Sequence, residues 1–572
     1  MKKIKRLSLF LAIFMIISIF ASCGTTPPAA TAAPAASTAA AESAAAETAV
    51  AAESSAAAEP SAVAALEPYT FTHYFNYDWW GLYPWGADGV SAYLQKKFNI
   101  TVEFSKPDAD PAAKLNVMIS AGDLPDSIMM DRGVDNRKLA ELGLLVDLAP
   151  LMAKNPNLTD NVAEKTREQL KLGGKLYAIP NWSRIGPTGG NDAWLYDVRL
   201  YKAAGSPKLE TFEQLHDYAM KIKKDVPKNN EGLTTYPVMF NNGGDANRVA
   251  LAFFRSFGGV LSNGWYSIQG DSYKLALRDA TFKAATMEAN KWWREGLFSE
   301  TQFTDTPELI LEKIVAGRTA LLYYDQSANE TNRFRSILKE SFPDDSYEMV
   351  TPFPYPPANG LPTSKIYPDY KESIGWNVTN ITTTAKEPQR IFDLWTYILT
   401  QEGSIIMMYG PQGMNWDTLN DKGLPILKKG EGELTTDEVK KLGAWFWAIP
   451  GQSDHVDLTK FAVNAMAPPE KQNWVINNQA NVLTPIMYMD DEFIGIVDSV
   501  DPKSDVGIAR GLCEDFIKAE YAKVVMAKTP EEAEKVYQGI LDFCDKNGFA
   551  GVEDKYTEKW KTNVALVGTV KK

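Results

Sequence analysis

Residues Lys114 to Asp131, KLNVMISAGDLPDSIMMD, read as one helix, one turn and one buried strand. Leu115, Met118 and Ile119 recur at helical spacing, and Gly122 follows where such a helix stops. Pro125 enforces an extended turn, and Ser127 to Met130 is a short, mostly apolar run of the kind found inside a parallel sheet covered on both faces. Asp131, Arg132 and Gly133 close the run, so a charged pair emerges at the carboxyl end of a strand. Open α/β sheets hold ligands at that edge, although a solvated loop accounts for the same residues.

The same rhythm extends to both sides. TFTHYFNY, after Tyr69, suits a first strand, Val90 to Phe98 a helix and Ile100 to Phe104 a second strand, giving a β-α-β-α-β series. Leu139 to Met152 predicts helix, turn and helix, and Lys175 to Trp182 a short strand broken by Pro180. From Trp194 the pattern restarts: WLYDVRLYKAAG is a strand and a helix ended by Gly205, followed by a helix capped by Thr211 with Glu213 soon after. Helices over Thr281 to Gly296 and Glu308 to Gly317 lead to a buried strand, Gly317 to Asp325, that ends in Tyr324 and Asp325. Met349 to Pro357 is Pro-rich and suits a return crossing. Ser373 to Thr379 predicts a strand, Glu387 to Gln401 an amphipathic helix, Met407 to Asn420 a Gly-rich turn carrying Trp416, and Leu442 to Ile449 an apolar helix. From Asp515 the tail is helix after helix.

The first loop adds chemistry to this frame. Trp79, Trp80 and Trp85 sit among Gly and Pro, where they would form a broad apolar platform at a strand's carboxyl end or pack beneath the loop. Flat aromatic faces suit the CH-rich faces of sugar rings and other planar ligands.

The amino-terminal end carries different information. MKKIKR precedes an apolar run, Leu7 to Ala21, that is shorter than the roughly 20 residues a bilayer-spanning helix needs and has the pattern of a secretory leader. The following 24–67 segment is almost wholly Ala, Ser, Thr, Pro and Glu, and cannot bury enough surface to order itself. As a flexible coil its ends would lie roughly 35 Å apart.

Loss of the leader removes Lys2, Lys3, Lys5 and Arg6 and no acid, moving the formal charge from −13 to −17. Such acidity argues against nucleic acid or anionic lipid as the ligand. Cys513 and Cys544 are compatible with one disulfide or with two buried thiols. His73, His216 and His455 are scattered without metal-ligand spacing, so all three read as structural and no metal or other cofactor is expected.

At KLNVMISAGDLPDSI the chain resembles the extracellular solute-binding lipoproteins of bacterial ABC importers, the large branch related to maltose- and alginate-binding proteins. KLYAIPNW, WLYDVRLYKAAGSPKLETFEQL, EKIVAGRTALLYYD, IGWNVTNITTTAKEPQRIFDLWTYILTQEG and YGPQGMNWD follow in the family's order, so the resemblance covers Tyr69 to Asn563. It implies a periplasmic-binding-protein type II-like α/β fold, two interleaved lobes with a ligand cleft and a hinge. The expected parts are a leader at 1–23, a linker at 24–67, a first lobe at 68–182 that resumes at 352–450, a second lobe at 183–351, and a helical segment at 451–572 shared between them. Ala21, Ser22, Cys23 and Gly24 resemble a lipobox, with Phe20 where Leu is preferred, and imply a palmitate-type lipid on Cys23 and attachment to the outer face of the cell membrane.

The implied ligand contacts are Trp79, Trp80, Asp131, Arg132, Trp182, Arg184, Tyr324, Asp325, Trp376 and Trp416. The aromatics would stack on the ligand, and the Asp and Arg would take hydroxyl or carboxylate groups. The implied partners are an oligosaccharide or other small solute and the permease subunits of the importer, with the protein acting as a monomer and not as an enzyme. A binding protein for peptides is the alternative, and a tethered glycoside hydrolase, which needs two carboxylates facing across a bond, is the more distant one. Alginate-binding relatives often carry a calcium loop after the second-lobe helix; here DVPKNNEGLTTYP, Asp225 to Pro237, keeps one acid, Glu231, within the loop, so no calcium or only weak binding is expected.

Overall fold

Nine strands build the two main sheets: β1 (Tyr69–Phe75), β2 (Ile100–Ser105), β3 (Ser127–Asp131), β4 (Ala178–Pro180), β5 (Trp194–Asp197), β6 (Tyr236–Phe240), β7 (Thr319–Tyr323), β8 (Tyr347–Met349) and β9 (Asn377–Ile381). The computed structural model describes residues 66–569, apart from 83, 187, 241–245, 325–333, 336–337, 339–346, 351–352, 369, 431–432, 444–450 and 452. The leader, Cys23, Asp325 and most of the apolar segment ending at Ile449 lie outside the described residues.

The first sheet has the order β2-β1-β3-β9-β4. β1, β2 and β3 run parallel, whereas β9 enters antiparallel between β3 and β4, pairing Asn377 with Asp131 and Val378 with both Met130 and Pro180. β3 is buried over Ser127 to Met130 and exposed at Asp131, and all of β9 is buried, as expected for strands covered on both faces. The helix ahead of β3 spans Pro111–Ala121, buries Leu115 and ends where Gly122 turns left-handed at φ 68°.

The second sheet has the order β8-β5-β7-β6 and a core centred on Trp194, whose ring meets Phe240 and Tyr323 edge-on. The tail helices Asp505–Met526, Pro530–Lys546 and Ala550–Val567 belong to this core through Tyr521, Tyr537 and Tyr556. Cys513 and Cys544 are buried free thiols there.

Several expected boundaries move, each for a local reason. β9 begins at Asn377 rather than Ser373, because Gly375 turns the backbone to φ 71° first. The long helix expected from Glu387 divides into Pro388–Tyr397 and Gln401–Tyr409, where Thr400 caps the second piece by accepting a hydrogen bond from the Gly403 amide at 3.1 Å. The expected Gly-rich turn from Met407 to Asn420 is thereby shortened: Met407 to Tyr409 end a helix, and Trp416–Leu419 pairs antiparallel with Pro425–Leu427. At the helix Phe212–Asp225, Thr211 does cap, and Gln214 rather than Glu213 completes the capping box.

The three histidines have protein partners: His73 Nδ1 lies 3.0 Å from Ser127 Oγ, His216 Nε2 2.6 Å from Glu295 and His455 Nε2 2.9 Å from Asn161. His73 is fully buried against Phe75, Phe104 and Trp395, and burial lowers its pKa to about 3. Because the unfolded chain takes up this proton near pH 6.5 and the folded chain does not, stability is full above pH 6.5 and is lost as pH falls toward 3. Urea titrations across this range should show a slope approaching about 1.4 kcal/mol per pH unit from this group. The His73→Leu variant should lose that component.

Candidate functional site

The loop after β1 is anchored by the Asn76 amide, which donates to the Met129 carbonyl at 2.9 Å and so lies alongside β3. Trp80 folds inward, 5% exposed, and stacks on Phe75 with ring centres 5.2 Å apart. Trp79 turns outward, 65% exposed, above Trp80 and the buried Tyr77. Trp376, 39% exposed, arrives from the turn before β9 and stands 6.3 Å from Trp79 at an interplanar angle of 28°. Tyr77 supports both indoles, with ring centres 5.3 and 5.4 Å away.

This meeting depends on Gly375. A Cβ at that position would lie 1.7 Å from the Asn181 carbonyl oxygen, so only glycine lets the turn pass the crossing strand at φ 71°. Its carbonyl accepts a hydrogen bond from Arg132 Nε at 2.7 Å, and Arg132 Nη2 forms an ion pair with Glu372.

Asp131 sits at the exposed end of β3 and accepts a 2.8 Å hydrogen bond from the Tyr77 hydroxyl. Although its side chain reaches solvent, the surrounding rings desolvate the carboxyl and raise its pKa, against the opposing pull of Tyr77 and Arg132. Burial beside this carboxylate raises the Tyr77 pKa in turn, keeping the phenol a donor.

Asp131, Arg132, Glu372 and Trp376 line a cavity of about 270 Å³ together with Asn263 and the Gly495 to Asp498 segment. Asn263 comes from the segment between Leu261 and Trp265 of the second core, where its side-chain amide donates to the Tyr273 hydroxyl at 3.0 Å and the Phe493 carbonyl at 3.2 Å. The cavity therefore lies where the end of the first sheet meets residues of the second core, and is slightly smaller than the roughly 300–1,000 Å³ of most small-molecule pockets.

Five expected contacts thus fall at one place: Trp79, Asp131, Arg132 and Trp376 directly, and Trp80 as the floor beneath Trp79. The others fall elsewhere. Arg184 fastens the crossing strand, giving Nη1 to the Glu372 carbonyl at 2.9 Å and its own amide to the Ser373 carbonyl at 2.9 Å. Trp182 lies in the same crossing at φ 57°, and Tyr324 lies edge-on to Phe334 at the end of β7; neither lines the cavity. Trp416 is corrected to a core residue, since it is 7% exposed and its indole N–H donates to the Gly410 carbonyl at 2.8 Å. Tyr77, Glu372, Asn263 and Asp498 were missed. Tyr77, two residues from Trp79, was the one with a local signal.

A model of the family described as bacterial extracellular solute-binding protein matches residues 90–415. The chain belongs to this family. It is 24% identical over 180 residues to the fructooligosaccharide ABC transporter substrate-binding protein FusA of Streptococcus pneumoniae serotype 4, a match spanning 29% of this chain and 30% of that relative's length. In fold it is similar to S. pneumoniae FusA in complex with kestose, with TM-score 0.61, 15% identity and coverage of 87% of this chain and 99% of that one. It is similar also to the alginate-binding protein AlgQ2 without calcium ion, with TM-score 0.60, 16% identity and coverage of 86% and 98%. An HMO-binding ABC-transporter-associated protein from Bifidobacterium longum infantis gives TM-score 0.63, 14% identity and coverage of 86% and 99%.

The Asp225 to Pro237 loop is built around one amide side chain. Asn229 sits buried at its centre, its amide oxygen accepting from the Glu231 and Leu233 amides at 3.1 and 3.0 Å and its amide nitrogen donating to the Ala316 and Gly317 carbonyls at 3.0 and 3.2 Å. Asp225 is held by Lys221, which lowers the carboxyl pKa. With Asp225 and Asn229 engaged by the protein, Glu231 is the one acid left within the loop, too few charged oxygens for a hard-cation cage, and the loop does not fit calcium. Millimolar Ca²⁺ should leave the melting temperature unchanged, while Asn229→Ala should cost about 1–3 kcal/mol in denaturant titration by orphaning buried backbone groups.

The aromatic assignments separate by stability. Trp416→Ala should cost about 3–5 kcal/mol, whereas Trp79→Ala should stay within about 0.5 kcal/mol of the parent in the same titrations.

Proposed function

We propose that this protein captures an oligosaccharide in the cleft between its lobes and delivers it to an ABC permease, without altering the ligand chemically. The observation that carries this reading is the Trp79–Trp376 pair, two nearly parallel indoles 6.3 Å apart and open to solvent beside Asp131, Arg132 and Glu372. Indole faces bind the CH faces of sugar rings, while charged groups at their edge take hydroxyls by charge-assisted hydrogen bonds. The names of the relatives support it: a fructooligosaccharide-binding protein with kestose, an alginate-binding protein and an HMO-binding protein.

On this reading residues 68–182 and 352–450 form one lobe, 183–351 the other, and 451–572 serve both. Contacts made from both sides favour a closed state and drive a hinge motion. The leader at 1–23 directs export, the lipid on Cys23 holds the monomer on the outer face of the membrane, and the 24–67 segment acts as its tether.

Melting curves with a panel of oligosaccharides, peptides and uronic acids test the reading. A saccharide at a hundredfold excess over its Kd adds about 2.7 kcal/mol of stability, and Trp79→Ala or Trp376→Ala should remove most of that gain. A shift with peptides and with no saccharide rejects the carbohydrate assignment, and the appearance of shortened sugars rejects the absence of catalysis.

A further inference from the structure

The geometry points to Glu372 as a specificity-determining residue that sets the cleft for uncharged glycans and against uronates. This rests on the carbohydrate reading proposed above. Among the described residues lining the cavity Arg132 is the one cation, and its charge is already matched: Nη2 pairs with the Glu372 carboxylate and Nε donates to the Gly375 carbonyl at 2.7 Å. Both side chains are largely shielded, with Arg132 18% and Glu372 29% exposed. The pair is therefore less screened than one on the open surface. Arg184 gives Nη1 to the Glu372 carbonyl. Arg137, behind the cavity, donates to the Asp498 carbonyl at 2.5 Å.

The lining also carries three carboxyl groups, Asp131, Glu372 and Asp498, against the single guanidinium. A uronate reaching for Arg132 meets a guanidinium already neutralised by Glu372, and must either displace that carboxylate or stand beside it and two other acids. An uncharged polyhydroxyl ligand meets no such conflict, because its hydroxyls donate to Asp131 and Glu372 while the ion pair stays intact and its ring lies on Trp79 and Trp376.

Calorimetric titration of the full chain with kestose and maltotriose, and with trigalacturonate as a charged ligand of equal length, tests this without any variant. The expected result is binding of a neutral trisaccharide at least about tenfold tighter than trigalacturonate. In the Glu372→Gln variant, checked for an unchanged far-UV circular dichroism spectrum, the ratio of uronate to neutral affinity should rise about tenfold, and adding Arg132→Met should cancel that rise. Trigalacturonate binding as tightly as the neutral sugars, or a folded Glu372→Gln variant with an unchanged ratio, overturns the selectivity while leaving the carbohydrate reading standing. Binding of none of the three, together with a peptide-induced melting shift, overturns the carbohydrate reading itself.

Discussion

The insertion of β9 between β3 and β4 is the constraint on which the cleft depends. Its register, Asn377 opposite Asp131 and Val378 opposite Met130, places the turn before the strand beside the charged end of β3. Trp376, Gly375 and Glu372 therefore arrive at Asp131 and Arg132 from more than two hundred residues away, as the Arg132 contacts show. A slip of one residue would turn every β9 side chain to the opposite face and take these groups with it.

The sheet enforces that register with polar groups as well as apolar ones. Asn380 Oδ1 accepts from Asn136 at 2.8 Å, the Trp395 indole donates to Ser127 Oγ at 3.1 Å, and Asp126 accepts from the amide and hydroxyl of Thr72 at 2.8 and 2.9 Å. Misplaced pairing would leave these buried groups without partners, which costs more than the bonds contribute when made. The site is thus held by a rigid frame. Tyr77, wedged beneath two indoles and bonded to Asp131, transmits that rigidity to the aromatic platform.

On the carbohydrate reading proposed above, apolar area and charge have separate duties in the cavity. The indoles offer surface that any sugar-like ring can cover, so they supply affinity with little discrimination. The Arg132–Glu372 pair and Asp131 are fixed in place by protein contacts before a ligand arrives, and such preorganised groups discriminate by which partners they would have to give up. The Asn229-centred loop follows the same economy beside the second sheet, where one amide side chain closes the turn.

The sequence by itself determined the alternation of strands and helices, the restart at Trp194 and the emergence of Asp131 and Arg132 at a strand end. Those features rest on local rules: 3.6-residue spacing around Leu115, a left-handed stop at Gly122, a buried run at Ser127 to Met130. It also placed Trp79 and Trp80 together in a Gly- and Pro-punctuated loop and Trp376 within the returning strand, Ser373 to Thr379. Only the tertiary structure decided which aromatics remain open. Trp79 and Trp80 are neighbours in one loop, yet one faces solvent and the other stacks on Phe75, and Trp416 vanishes into a hairpin against Gly410. Nothing within a few residues of each tryptophan encodes that difference, because it arises from what the distant chain packs against them. The pairing of Arg132 with Glu372 and the approach of Asn263 are likewise contacts at long sequence separation, set by sheet register and tertiary packing rather than by any local pattern.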